Sequence, residues 1–132
     1  PFKALAAIPK HRRNETVRHK LEDMKAYFLA HHLYKKSHDL SEISRPGWLR
    51  LGFPLMYQTD ILELLGIFAS LRHYDPRLND AIRILKEKQL ADGRWKLENS
   101  FNGKMQVAID RKGKPSKWLT LKANCVLRAF DK

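Results

Sequence analysis

Ile61, Leu62, Leu64, Leu65, Ile67, Phe68, Ala69 and Leu71 cover nearly the whole circumference of any helix drawn through them. A helix that is apolar all round has to be buried on most sides. Other elements must therefore surround it, and the pattern predicts an inner helix over 56–74. The apolar stretch from Ile61 to Leu71 is interrupted by Glu63, Gly66 and Ser70 and is too short to span a bilayer. No basic n-region, apolar h-region and small-residue cleavage site opens the chain. The expectation is a soluble, cytoplasmic protein without a transmembrane segment.

The remaining periodicity supplies the surrounding elements. Val17, Leu21, Met24 and Phe28 recur at helical spacing while Lys20, Glu22, Asp23 and Lys25 face water, which predicts an amphipathic outer helix over 14–36. Asp75-Pro76 places an N-cap before a proline at the first helical position. It opens a second outer helix over 76–90, with Leu78, Ala81, Ile82 and Leu85 on one face. Pro115-Ser116 opens the last helix, over 116–130, whose apolar contacts come from Trp118, Leu119, Val126, Leu127, Ala129 and Phe130. No two-residue alternation stands out, although the segment 92–115 has room for a short hairpin. Outer helix, loop and inner helix thus occur twice. Each loop carries Trp, Gly and Arg, as Pro46-Gly47-Trp48-Leu49-Arg50 and Asp92-Gly93-Arg94-Trp95-Lys96. The reading is all-α, with two repeats in one helical domain spanning 1–132.

With 43% hydrophobic and 30% charged residues in 132, the chain has a folding composition. Its single cysteine, Cys125, excludes an intrachain disulfide framework and reads as a buried apolar residue of the last helix. The net charge of +12 is the extreme value. Residues 1–50 hold 11 basic and 5 acidic side chains, 51–100 hold 7 and 7, and 101–132 hold 8 and 2. A neutral middle between two basic flanks fits either solvated helix faces or a footprint for nucleic acid or an anionic surface.

Lys88-Gln89-Leu90-Ala91-Asp92-Gly93-Arg94-Trp95 resembles the Gln, Gly, Trp core of the QW repeat in squalene and other terpene cyclases and their protein-prenyltransferase relatives. Three further segments, Trp48 through Asp60, Arg94 through Asn99 and Pro115 through Leu121, are similar to uncharacterised bacterial and archaeal proteins of the prenyltransferase and squalene oxidase repeat group. The resemblance covers essentially 1–130. In that group such text lies in the C-terminal part of a longer chain, and Ala4-Leu5-Ala6-Ala7-Ile8-Pro9 looks like the tail of an earlier helix. The resemblance implies part of an α/α toroid whose inner helices line a cavity, and an apolar, isoprenoid-like small molecule as partner. Gln89, Gly93 and Trp95 then form the structural repeat motif.

The chemistry of those relatives does not carry over directly. No D-x-D-D acid motif is present, and Cys125 has Ala123 where a zinc-binding Asp would stand. This leans the reading away from an enzyme, with no metal and no cofactor. His31-His32 project about 100° apart on a helix and cannot share one metal ion well. Asp60 is the weak catalytic candidate, a general acid if burial raises its pKa, against a role as helix cap or partner of Arg50. Trp48, Arg50, Tyr57, Asp60, Glu98, Asn99 and Trp118 are the candidates for a ligand cavity at the inner-helix entrance. A basic nucleic-acid or anionic-surface module and a structural, partner-binding helical array are the alternatives. Two helical hairpins cannot close a ring, so the inner helix is expected to leave apolar surface open to the remainder of a longer chain, a ligand, or a second copy in a homodimer.

Overall fold

The computed structural model describes residues 1–55, 58–100, 107 and 109–131. Five α-helices occur among them: α1 (Phe2–Ala7), α2 (Glu15–Ala30), α3 (Ile61–Ser70), α4 (Asn79–Glu87) and α5 (Lys117–Phe130). Two antiparallel two-stranded sheets accompany them, β1 (Lys35–Lys36) with β2 (Asp39–Ile43) and β3 (Trp95–Lys96) with β4 (Pro115–Ser116). Short 3-10 turns occupy Lys10–Arg12, Pro46–Leu49 and Pro76–Leu78. The fold is mixed α/β, 53% helical, and the all-α toroid expected from the sequence is incorrect.

Each sheet interrupts the step from one helix to the next, between α2 and α3 and again between α4 and α5. Helix–hairpin–helix is therefore the unit that occurs twice. β2 is exposed at every position, so no buried face imposes the alternation that would have revealed it. The β3–β4 pairing matches Trp95 with Ser116 and Lys96 with Pro115, and lies in the segment that had room for a hairpin.

Helix ends also differ from the sequence reading, for a local reason. α2 stops at Ala30 because His32 N–H donates to Leu29 O and Leu33 N–H reaches back to Phe28 O. α3 stops at Ser70 in the same way, through Arg72 to Ala69 O and His73 to Phe68 O. Both are Schellman ends, in which a left-handed residue turns the chain out of the helix. The left-handed residues are His32 at φ 43°, followed by Leu33 at φ 70°, and Arg72 at φ 52°, with no glycine to announce them. Leu33 and Tyr34 are then buried, so tertiary burial drives the chain out of α2 six residues before the predicted end at 36. α4 begins later than predicted because Asp75 caps a 3-10 turn, accepting from Arg77 N–H.

α3 is the centre of the core, with Ile61, Leu62, Leu64, Leu65, Ile67 and Phe68 all buried. α1, α4 and α5 pack against it. Phe2 of α1 stacks on Phe28 of α2 at 5.3 Å and meets Phe68 edge-on at 5.5 Å. The broad uncovered inner-helix face expected from two hairpins is absent among the described residues, because α1, α4 and α5 pack around α3. Cys125, expected inside, is exposed. It lies on the outer side of α5 with Trp118 and Leu121, which are 40% and 61% exposed.

Trp95 is fully buried, and its indole N–H donates to Leu85 O at 2.8 Å. Gln89 Nε2 donates to Gly93 O, and Gly93 adopts φ +84°, which an L side chain rarely takes. The Gln, Gly, Trp text therefore forms a structural joint between α4, β3 and α5. The first loop does not repeat it, since Trp48 is only half-buried within the Pro46–Leu49 turn.

Two stability outcomes follow from these joints. Trp95→Ala should cost about 3–5 kcal/mol in urea unfolding, through lost burial and a residual cavity; a cost under about 1 kcal/mol would contradict the joint. Arg72→Gly should stabilise by about 0.5–1 kcal/mol, because glycine relieves the left-handed backbone there, with the gain read as a rise in urea midpoint.

Candidate functional site

The site begins at a buried carboxylate. Asp60 is 1% exposed and precedes α3. Its Oδ1 accepts from Glu63 N–H at 2.9 Å, capping the helix, and its Oδ2 accepts from Gly52 N–H at 2.9 Å. Burial pushes its carboxyl up to about 6 against the pull of those two N–H bonds and of Lys122. Asp60 thus joins the start of α3 to the strand-like segment 51–53. Arg50 is not its partner. Both carboxylate oxygens are engaged by backbone and the side chain is sealed, so the group caps α3 and tethers 51–53.

Segment 51–53 is in turn fastened to 97–99. Glu98 N–H and Asn99 N–H both donate to Leu51 O, at 2.9 and 3.0 Å, while Glu98 Oε2 accepts from Leu51 N–H at 2.8 Å. Lys88 Nζ holds the same carboxylate at 2.8 Å. Gly52 lies so close to this partner that a Cβ there would come within 3.3 Å of Asn99 O and 3.1 Å of Leu55 Cδ2. The fastening leaves Asn99 able to reach Gln58, Nδ2 to Oε1 at 3.0 Å.

Two depressions adjoin this frame. One, of about 590 Å³, is lined by Arg45, Gly47, Trp48, Arg50, Gln58, Thr59 and Asn99. The other, of about 440 Å³, lies between α1, α2 and α3, with Phe2, Met24, Phe28, Leu55, Leu64 and Ile67 as its apolar walls. Gln58 and Thr59 line both. At the rim of the second, Lys3 pairs with Glu63 at 2.8 Å and Thr59 Oγ1 donates to the same carboxylate at 2.7 Å. Burial pushes Glu63 up, but these partners hold it below the usual carboxylate range.

Of the sequence candidates, Trp48, Arg50 and Asn99 come together in one cleft. Asp60 lies beneath it, bonded to Gly52. Glu98 turns to Lys88 and the Leu51 amide. Trp118 stacks on Phe53 at 5.4 Å on the α5 side and does not line the cleft. Tyr57 lies outside the described residues. Sequence reasoning missed Arg45, Gln58 and Thr59. It also missed the apolar groove, whose walls come from three helices and leave no local signal. Among the described residues, no group of three His, Cys, Asp or Glu side chains could hold a metal ion, and no helix is long and apolar enough to cross a membrane. No family model, curated protein or solved structure matches the chain.

Asp60 gives the site a pH signature. Its folded pKa is raised from the usual 3.8 to about 6, so between those values the folded chain keeps a proton that the unfolded chain has lost. The stability from this group is complete below pH 3.8 and is lost as pH rises through 6. Relative to Asp60→Asn, which cannot titrate, the wild type should lose about 2–3 kcal/mol of stability across that window. Urea unfolding at several pH values measures it, and a flat difference would contradict the burial of the charge.

Proposed function

We propose that this chain is a non-covalent binding domain for an apolar small molecule, held in the groove between α1, α2 and α3. The observation that carries the reading is the groove's wall. Phe2, Met24, Phe28, Leu64 and Ile67 converge on about 440 Å³ of open space, within the size range of small-molecule sites. The sequence expectation of an isoprenoid-like ligand belongs to the same proposal, as does the kinship with QW-repeat proteins, which rests on Gln89, Gly93 and Trp95. A binding role, rather than catalysis, fits the sealed and doubly bonded state of Asp60.

The basic-module alternative has weaker support. Lys10, Arg13, Arg18 and Lys25 surround one depression. However, Arg13 donates to the carbonyls of Ile8 and Ala6, Arg18 donates to Arg13 O, and Lys25 pairs with Glu22 at 2.6 Å. That face is largely satisfied by its own chain.

Titration with the neutral apolar dye Nile red tests the reading. Met24→Glu should weaken binding at least tenfold, about 1.4 kcal/mol, while Leu121→Glu on the outer side of α5 should leave it unchanged. Loss of binding in Leu121→Glu with full binding in Met24→Glu would move the ligand surface to α5 and overturn the groove.

A further inference from the structure

We propose that the groove's ligand is an amphipathic anion, a single apolar chain ending in a carboxylate or phosphate that docks against Arg45 and Arg50. The inference rests on the apolar groove of the preceding reading and adds the chemistry of the ligand's other end. Its basis is adjacency: Gln58 and Thr59 line the apolar groove and the neighbouring cleft alike. A chain lying along Met24, Phe28 and Leu64 has its end beside Gln58, next to a space of about 590 Å³.

The lining of that second space selects a charge. Arg45 and Arg50 are both exposed, and neither has a carboxylate or carbonyl partner for its guanidinium among the described residues. Arg77, Arg83 and Arg94 are by contrast engaged, by Asp75, Glu87 and Asp92, and what sets Arg45 and Arg50 apart from the other unpaired arginines is that they share one cleft. No acidic side chain among the described residues lines the cleft. Of the carboxylates in the adjoining frame, Glu63 is paired with Lys3 and Glu98 with Lys88, while Asp60 is buried beneath the cleft with both oxygens held by backbone amides. Asn99 donates one amide N–H to Gln58 Oε1, which leaves the Gln58 amide N–H groups as donors without a partner among the described residues. Guanidinium groups recognise carboxylate and phosphate through paired N–H donors. Two arginines beside an amide donor and a half-buried Trp48 thus form a receptor for an anionic head, next to a groove whose walls are Phe2, Met24, Phe28, Leu55, Leu64 and Ile67.

The cleft carries its own reporter. Trp48 lines it, whereas Trp95 is fully buried and Trp118 stacks on Phe53 away from it. Tryptophan fluorescence of the whole chain, titrated separately with decanoate, decyl phosphate and decanol, compares three ligands of equal chain length. A Nile red displacement run in parallel reads the groove. The two anions should bind at least tenfold more tightly than decanol, and the stronger of them identifies the head group. Arg45→Ala/Arg50→Ala should bring both anions to the level of decanol while circular dichroism stays that of the wild type. Added salt should weaken the anions and spare decanol. Decanol binding as tightly as the anions, or anion binding indifferent to both the double variant and salt, would overturn the head-group assignment and leave the apolar groove standing. Failure of all three ligands to displace Nile red would overturn the groove itself, and this inference with it.

Discussion

A carboxylate that is 1% exposed cannot remain in a core without donors, and the two donors of Asp60 decide how the chain is assembled. One is the Glu63 amide at the first turn of α3, and the other is the Gly52 amide in the segment before it. The first bond starts the buried helix. The second brings 51–53 against that start, where the amides of Glu98 and Asn99 fasten it from the other side. Gly52 suits this place because a Cβ there would press to 3.3 Å on the backbone oxygen of Asn99, and one of the two would have to shift. Arg50, Trp48, Gln58 and Asn99 are all carried on chain that this junction holds. The cost of burying the charge appears in the raised pKa of the same group, near 6, so the anchor of the site is also its least comfortable member.

The parts of the fold that were legible in the sequence were those with a local cause. The all-round apolar run gave the buried α3. The capping residues Ser116 and Asp75 marked starts that the structure shows, since Ser116 Oγ accepts from Leu119 N–H and Asp75 from Arg77 N–H. The Gln89, Gly93 and Trp95 joint was readable as structural because each residue type has one clear task there. The parts that were not legible had tertiary causes. His32 and Arg72 take left-handed backbone without being glycine, so both helices end early with no textual sign. β2 has no buried face and leaves no alternation. The two small sheets that make the fold mixed α/β are consequently the feature that periodicity could not supply.

The site divides along the same line. Trp48, Arg50 and Asn99 were grouped because turn residues and polar side chains cluster just before a buried helix, a local signal, and the structure brings these three to one cleft. The apolar groove escaped because Phe2, Met24 and Leu64 belong to three helices far apart in sequence, and each taken alone reads as ordinary core. Trp118 was grouped with the cavity on its position at the start of α5, but the outward turn of that helix places it against Phe53. The +12 charge was ambiguous for a related reason. Which of the unpaired arginines share a cleft, as Arg45 and Arg50 do, is a property of packing.

The central claim is that one amphipathic anion occupies both spaces at once, with Gln58 and Thr59 between its tail and its head. A crystal structure of the chain with decyl phosphate tests this most directly. The account predicts the phosphate within hydrogen-bond distance of Arg45 or Arg50 and the alkyl chain against Met24, Phe28 and Leu64. An alkyl chain lying on the outer side of α5 beside Trp118 and Leu121, with the groove between α1, α2 and α3 empty, would contradict it.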